Sequence, residues 1–340
     1  MSLLTGSSAA EGAVTGVEPR SVRSMPDRGD RAFLGLSRLG GVLVLGVFSA
    51  IGLFLAVRGA QAIAQARLSF LTTQAWQPDI HHFGIAGVLT GTVLIAGVAV
   101  VVSLPVALGL ALFISEIAPG SIRRTLVSLV DLMAAVPSVV YGLWGLFYLQ
   151  GHVVGVARWI SAWFGWIPIF HVGGSDPANP LATASVYSAS TFVVGLVVAL
   201  MVIPIQCSVM RESFSQAPQG EREGAYALGA TRWGMVRSVV LPFGRGGIIG
   251  GTMLGLGRAL GETIAVILII SPIFHVNLHI LESGGHSVSA LIALMQGDAS
   301  TFGISALMAA GLALFVLTLA VNLTASAIVA RSRSGAESEV

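Results

Sequence analysis

Six runs of apolar residues, at about 40–58, 88–115, 125–149, 186–209, 246–274 and 302–330, constrain this chain more than any other feature. Windows of ~20 apolar residues are long enough for a helix to cross a hydrocarbon core. The expected fold is all-α and polytopic, with six transmembrane helices. Composition agrees. Of 340 residues, 54% are hydrophobic and only 10% charged, against about 25% charged in a soluble domain.

Prolines fall inside four successive runs: Pro105, Pro137, Pro204 and Pro272. Each removes a helix hydrogen bond, a cost met where neighbouring helices or a cavity satisfy the backbone, so kinked spans are expected. Arginine placement sets the orientation. Arg20, Arg23, Arg28, Arg31 and Arg38 precede the first run, and Arg123 and Arg124 lie between the second and third. Arg211, Arg222, Arg232, Arg237 and Arg245 lie between the fourth and fifth, and Arg331 and Arg333 follow the sixth. The alternate loops hold only Arg58, Arg67 and Arg158. The positive-inside rule therefore places both termini and the 210–245 loop in the cytoplasm of a cell whose plasma (inner) membrane the chain crosses.

The expected organisation is a disordered cytoplasmic tail over 1–37, a first anchor and outer loop over 38–85, a permeation core over 86–330 and a short cytoplasmic tail over 331–340. The Ala62-x-Ala64 pattern after the first run resembles a leader cleavage site. The polar lead-in is too long and the apolar run too extended for a leader, so an uncleaved anchor is expected.

All 18 basic residues are arginine. Without lysine the chain has neither a P-loop nor Schiff-base chemistry. It is therefore not expected to be an enzyme, and ATP hydrolysis, if used, belongs to another chain. No cofactor is expected. The net charge of +2, with basic residues scattered at segment ends, gives no footprint for nucleic acid. The single Cys207 reads as a packing residue. His81, His82, His275 and His279 lack acidic or cysteine companions at ligand spacing, so no metal site is expected. Trp159, Trp163 and Trp166 suit either one face of an interfacial helix or an aromatic belt at a helix end.

The polar stretch EREGAYALGATRWGMVRSVVLP, residues 221–242, predicts two short helices broken at Gly229. Ala225, Leu228 and Trp233 would be apolar knobs, too exposed unless a partner covers them. A loop of this length with helical periodicity is usually functional.

The spacing Glu223-Gly224-Ala225, three residues, Gly229, nine residues, Val239-x-Leu241-Pro242 resembles the "EAA" coupling loop of permease subunits of bacterial ABC importers. It departs only at Gly224, where the family has alanine. The segments GLGRALGETIAV (255–266), LMAAVPSVVYGLWGLF (132–147), FGIAGVLTGT (83–92) and LALFISEIAP (110–119) resemble the PstC-type permeases of phosphate importers. The resemblance covers about 83–330. It implies a type I ABC importer permease fold and a loop, 211–245, that docks on an ATP-binding subunit. It also implies a PstA-type sister permease, two ATP-binding subunits, an external phosphate-binding protein and phosphate as the transported substrate. A permease for molybdate or sulfate would share the loop. A stand-alone secondary transporter would need inverted repeats and several buried carboxylates; at most Glu262 and Asp131 qualify.

Arg258 and Glu262 are the costly residues. On a straight helix counted from Gly246 they lie about 18 and 24 Å along the axis, at ~1.5 Å per residue. Together they cost roughly 5–7 kcal/mol near the bilayer centre. They must then face protein or water, not lipid. Arg258 is expected to line the translocation path, where its guanidinium matches an oxyanion edge. Glu262, at i+4, would hold that side chain between transport events or pair with the sister permease. The structural alternative is a self-neutralising pair gluing helices, with Gly255, Gly257 and Gly261 allowing close approach.

Overall fold

The computed structural model describes residues 28–173 and 184–333, and these divide into two units at Ile51 and Gly52. Residues 1–27 of the disordered tail expected over 1–37 lie outside the described residues. Helix α1, Arg28–Ala66, begins within the remainder of that expected tail. In the first unit every residue from 29 to 51 is exposed. A helix that is apolar and exposed over so long a run is suited to lipid.

Among the described residues the second unit holds the rest of α1, a single helical turn at Ser69–Thr72, and then α2 (Ala86–Ile117), α3 (Gly120–Ala135), α4 (Ser138–Phe164), α5 (Thr191–Ser215), α6 (Gln219–Ala227), α7 (Arg232–Phe243), α8 (Arg245–Leu260), α9 (Ile264–Ile269), α10 (Val288–Met295) and α11 (Thr301–Arg333). A two-residue antiparallel pair, Trp76–Gln77 with His82–Phe83, closes the turn before α2. Among the described residues, five helices are long and apolar enough to cross a membrane, and six if α7 and α8, bent by 66°, count as one broken span. Five of the six expected spans therefore have a helix of spanning length, the third in altered form, and the fifth has one only if α7 and α8 count together.

Helix α5 is the hub. Of its most apolar window 67% is buried, against 17–28% for α2, α4 and α11. Helix α8 lies against it through Gly247, Gly251 and Gly255, spaced at i, i+4 and i+8 on one face. A Cβ on these glycines would meet Ser213, the Gln206 carbonyl and the Gln206 amide at 2.1, 3.1 and 2.4 Å. Small residues let the backbones approach where lipid provides no hydrophobic drive for association. On the other side Gly195 of α5 accepts Val98 of α2, 2.4 Å from where a Cβ would sit. Helix α2 in turn meets the chain beyond α9. Gly87 and Gly91 face the carbonyls of Phe274 and His286, each 2.0 Å from a would-be Cβ.

The third apolar run is not a span over 125–149. Val136 and Pro137 are extended, and the run splits into α3 and α4. Proline disfavours helical conformation in the residue before it, so the helix ends there. Span three is instead α4, which runs on to Phe164 and carries Trp159 and Trp163 near its end. The tryptophans thus sit at a helix end and not on a separate interfacial helix. Asp131 falls on α3 and is exposed. Of the four prolines, only Pro105 and Pro204 are inside helices; Pro137 precedes α4 and Pro272 follows α9. Cys207 is buried in a cluster with Met210, Phe214, Met235, Val236 and Val240, a packing residue as expected.

Candidate functional site

The fifth apolar run breaks where its charges lie. Helix α8 ends at Leu260, its last turn closed by Gly261 N–H to Arg258 C=O at 3.2 Å and Glu262 N–H to Ala259 C=O at 3.3 Å. Helix α9 starts at Ile264, so the continuous span expected over 246–274 is corrected to two helices. Glycine at 261 is the poorest helix former here apart from proline, and it sits at the break.

The break changes the electrostatic account of both charges. Arg258 lies in the last turn of α8, where the helix dipole favours a cation by about 0.3–1 kcal/mol. Glu262 is buried, and its Oε1 accepts the Ala265 N–H of α9 at 3.2 Å, capping that helix. Each charge therefore sits at the helix end that suits it. Among the described residues no ion pair joins the two. The i,i+4 contact of a straight helix is absent because the helix is absent between them.

Arg258 is exposed toward an open recess of about 430 Å³ that it lines with Glu262, Ser138, Gly257, Gly261 and Thr263. Ser138 is the first residue of α4, so span three starts at the recess. Gly257 and Gly261 serve space and not helix packing: a Cβ on either would meet nothing nearer than 3.8 Å. Of the three glycines around the arginine, only Gly255 makes a close helix contact. Ser138 and Thr263 are not among the residues that the sequence singles out.

A small polar network holds the break. The Ser289 hydroxyl donates to Glu262 C=O at 2.7 Å, and that of Ser287 to the same oxygen at 3.5 Å. Thr92 of α2 accepts the Val288 N–H at 3.0 Å. His286 is buried, its Nδ1 accepting the Ser287 N–H at 3.0 Å. Burial lowers its pKa to about 4, so it is neutral at physiological pH. These contacts tie α2, α9 and α10 around Glu262.

The loop between α5 and α8 forms two helical pieces with the break where expected, Gly229 taking a left-handed φ of +84°. Only glycine adopts that region without strain. Thr231 caps the second piece, its Oγ1 accepting the Gly234 N–H at 3.1 Å. Leu228 and Trp233 stand out at 91% and 62% exposure, with Glu223 and Gly224 also exposed. Ala225 does not join them. It is half-buried and packs with Leu241 against the cluster around Phe214. Val239 is half-buried and Pro242 exposed near the foot of α8. A Cβ at Gly224 would meet nothing, so the position has room for the alanine of the motif. Arg222, whose charge in the sequence bears only on orientation, pairs with Glu116 of α2 at 2.7 Å. The two are 106 residues apart, and no local pattern links them.

Residues 103–334 match the family described as binding-protein-dependent transport system inner membrane component. Among characterised relatives, the phosphate transport system permease protein PstC 2 of Mycobacterium tuberculosis is 36% identical over 321 residues, covering 93% of this chain and 95% of its own. PstC of Pasteurella multocida is 37% identical over 257 residues, covering 74% and 77%. Among solved structures, a chain of a bacterial alginate ABC transporter, in complex with an alginate-bound periplasmic protein, aligns with TM-score 0.53 at 18% identity, covering 87% of this chain and 93% of that one. A second structure, of a bacterial ABC transporter that imports alginate, gives TM-score 0.52 at 18% identity, covering 88% and 99%. With a family match running from α2 to the end of α11, and relatives above 30% identity along most of the chain, this protein belongs to the binding-protein-dependent transport system inner membrane components.

Proposed function

We propose that this chain is the PstC-type permease subunit of an ATP-driven importer of inorganic phosphate, multi-pass in the plasma membrane with both termini cytoplasmic. It forms the translocation path with a PstA-type sister permease. Two ATP-binding subunits drive it through the 211–245 loop, and an external phosphate-binding protein delivers the substrate. The relatives named as phosphate permeases support the substrate, and the exposed Leu228 and Trp233 support a docked partner. The observation that carries the path is Arg258. Its guanidinium faces an open recess and, among the described residues, has no ion-pair partner. A permanently charged, planar donor in that setting is suited to a passing oxyanion.

The test is uptake by the reconstituted complex. Arg258→Gln removes a charged hydrogen bond worth about 1.5–3 kcal/mol, so uptake should fall roughly 10- to 100-fold with assembly intact. Normal uptake would overturn the path role, and failed assembly would favour a structural one. Competition by molybdate and sulfate in the same assay decides the substrate; equal transport of either removes the assignment to phosphate.

A further inference from the structure

Arg222 gathers three parts of the molecule with one side chain. It sits on α6, directly before the exposed Glu223. One terminal nitrogen donates to Glu116 Oε2 at 2.7 Å, the other to Phe214 C=O at 2.7 Å, and Nε to Ala217 C=O at 3.2 Å. Glu116 belongs to the π-helical turn Phe113–Ile117 that ends α2. Phe214 lies in the last turn of α5, the hub. Among the described residues, no other side chain of α6 is hydrogen-bonded to a span.

The pair is not an ordinary surface bridge. The Glu116 side chain is 3% exposed and that of Arg222 20%. Burying a carboxylate is costly, and apolar residues of similar size would hold the elements together at least as well. The arginine adds direction. Its rigid fork, bound at three points, fixes the orientation of α6 against both spans, which apolar contact does not. The second Glu116 oxygen has no partner, so the contact rests on one oxygen and tolerates no loss of it.

We propose that the Arg222–Glu116 contact is the strut through which a displacement of the coupling loop reaches α2 and α5, with Arg222 a positioning residue for ATP-coupled transport. This rests on the reading that the 211–245 loop meets the ATP-binding subunits. Without the strut, α6 would be held by Ala225 and by its own loop, and movement imposed there would dissipate in the loop.

The experiment uses the assembled complex in proteoliposomes and reads phosphate imported per ATP hydrolysed. Arg222→Lys keeps the charge but cannot reach all three acceptors; Glu116→Gln keeps the shape and removes the charge. Both should assemble and hydrolyse ATP while importing about tenfold less phosphate per ATP. A purely structural pair would lower yield and both rates together and leave that ratio intact. An unchanged ratio, or loss of assembly in both variants, overturns the proposal. Leu228→Arg tests the underlying reading separately. If the ATP-binding subunits still co-purify with it, the docking assignment fails. If they are lost while Arg222→Lys keeps its ratio, only the strut fails.

Discussion

The contact between Glu262 Oε1 and the Ala265 N–H makes two substitutions at one position behave differently. Glutamine keeps an oxygen where the cap needs one; alanine leaves the first turn of α9 without it, at about 1 kcal/mol. The purified complex should therefore melt at nearly the same temperature with Glu262→Gln and lower with Glu262→Ala. Equal losses would show that the carboxylate charge, and not the cap, is what the fold uses. Residues of this kind were half legible. The cost of a charge inside an apolar run singled out Arg258 and Glu262, which the structure places at a helix break beside one recess. The partners were hidden, because hydropathy scores what a residue costs and says nothing of where the helix stops. Glu116 was hidden more deeply: its partner Arg222 is reached only through the fold.

At the scale of elements, glycine content alone did not say which glycines are packed. Helix α2 supplies the contrast. Gly91 faces the His286 carbonyl, 2.0 Å from a would-be Cβ, whereas Gly97 has nothing within 4 Å. A carbonyl held in place cannot move aside as a side-chain tip can. Gly91→Ala should cost about 1–3 kcal/mol or more through overpacking, while Gly97→Ala should gain up to about 1 kcal/mol of helix propensity. Thermal unfolding of the two purified variants checks this, and equal melting would remove the close approach of α2 to the 270–287 loop. Element existence was legible from the six runs, and the two helical pieces of the 221–242 loop from the glycine between them. The two breaks were not, because Val136-Pro137 and Gly261-Glu262-Thr263 interrupt runs whose average hydropathy stays high. Pro137 was read as a kink, yet its effect on the preceding residue ends one helix and frees Ser138 to begin another at the recess.

For the second unit as a whole, the unequal burial of its spans singles out one exposed apolar face. Among α2, α4, α5 and α11, helix α4 has the least-buried apolar window, 17%, although it begins at the recess that holds Arg258. One face of it is fixed: Gly142 and Gly145 pack on Leu268, Ala265, Val197 and Ile269. Val140, Trp144 and Phe147 project away from that contact, Phe147 with 81% exposure. Lipid could cover these side chains, but a recess open beside a guanidinium cannot be walled by lipid without a large desolvation cost. In the assembly proposed above, a second permease packed on α4 would close the wall and cover the apolar face at once. Cysteine labelling tests this with little background, because the native Cys207 is fully buried. A lipid-soluble maleimide should label Phe147→Cys in the chain purified alone and should label it far less in the assembled complex. In the complex the same cysteine should cross-link to the sister permease. Equal labelling in both states, with no cross-link, would place lipid on α4 and move the subunit interface elsewhere.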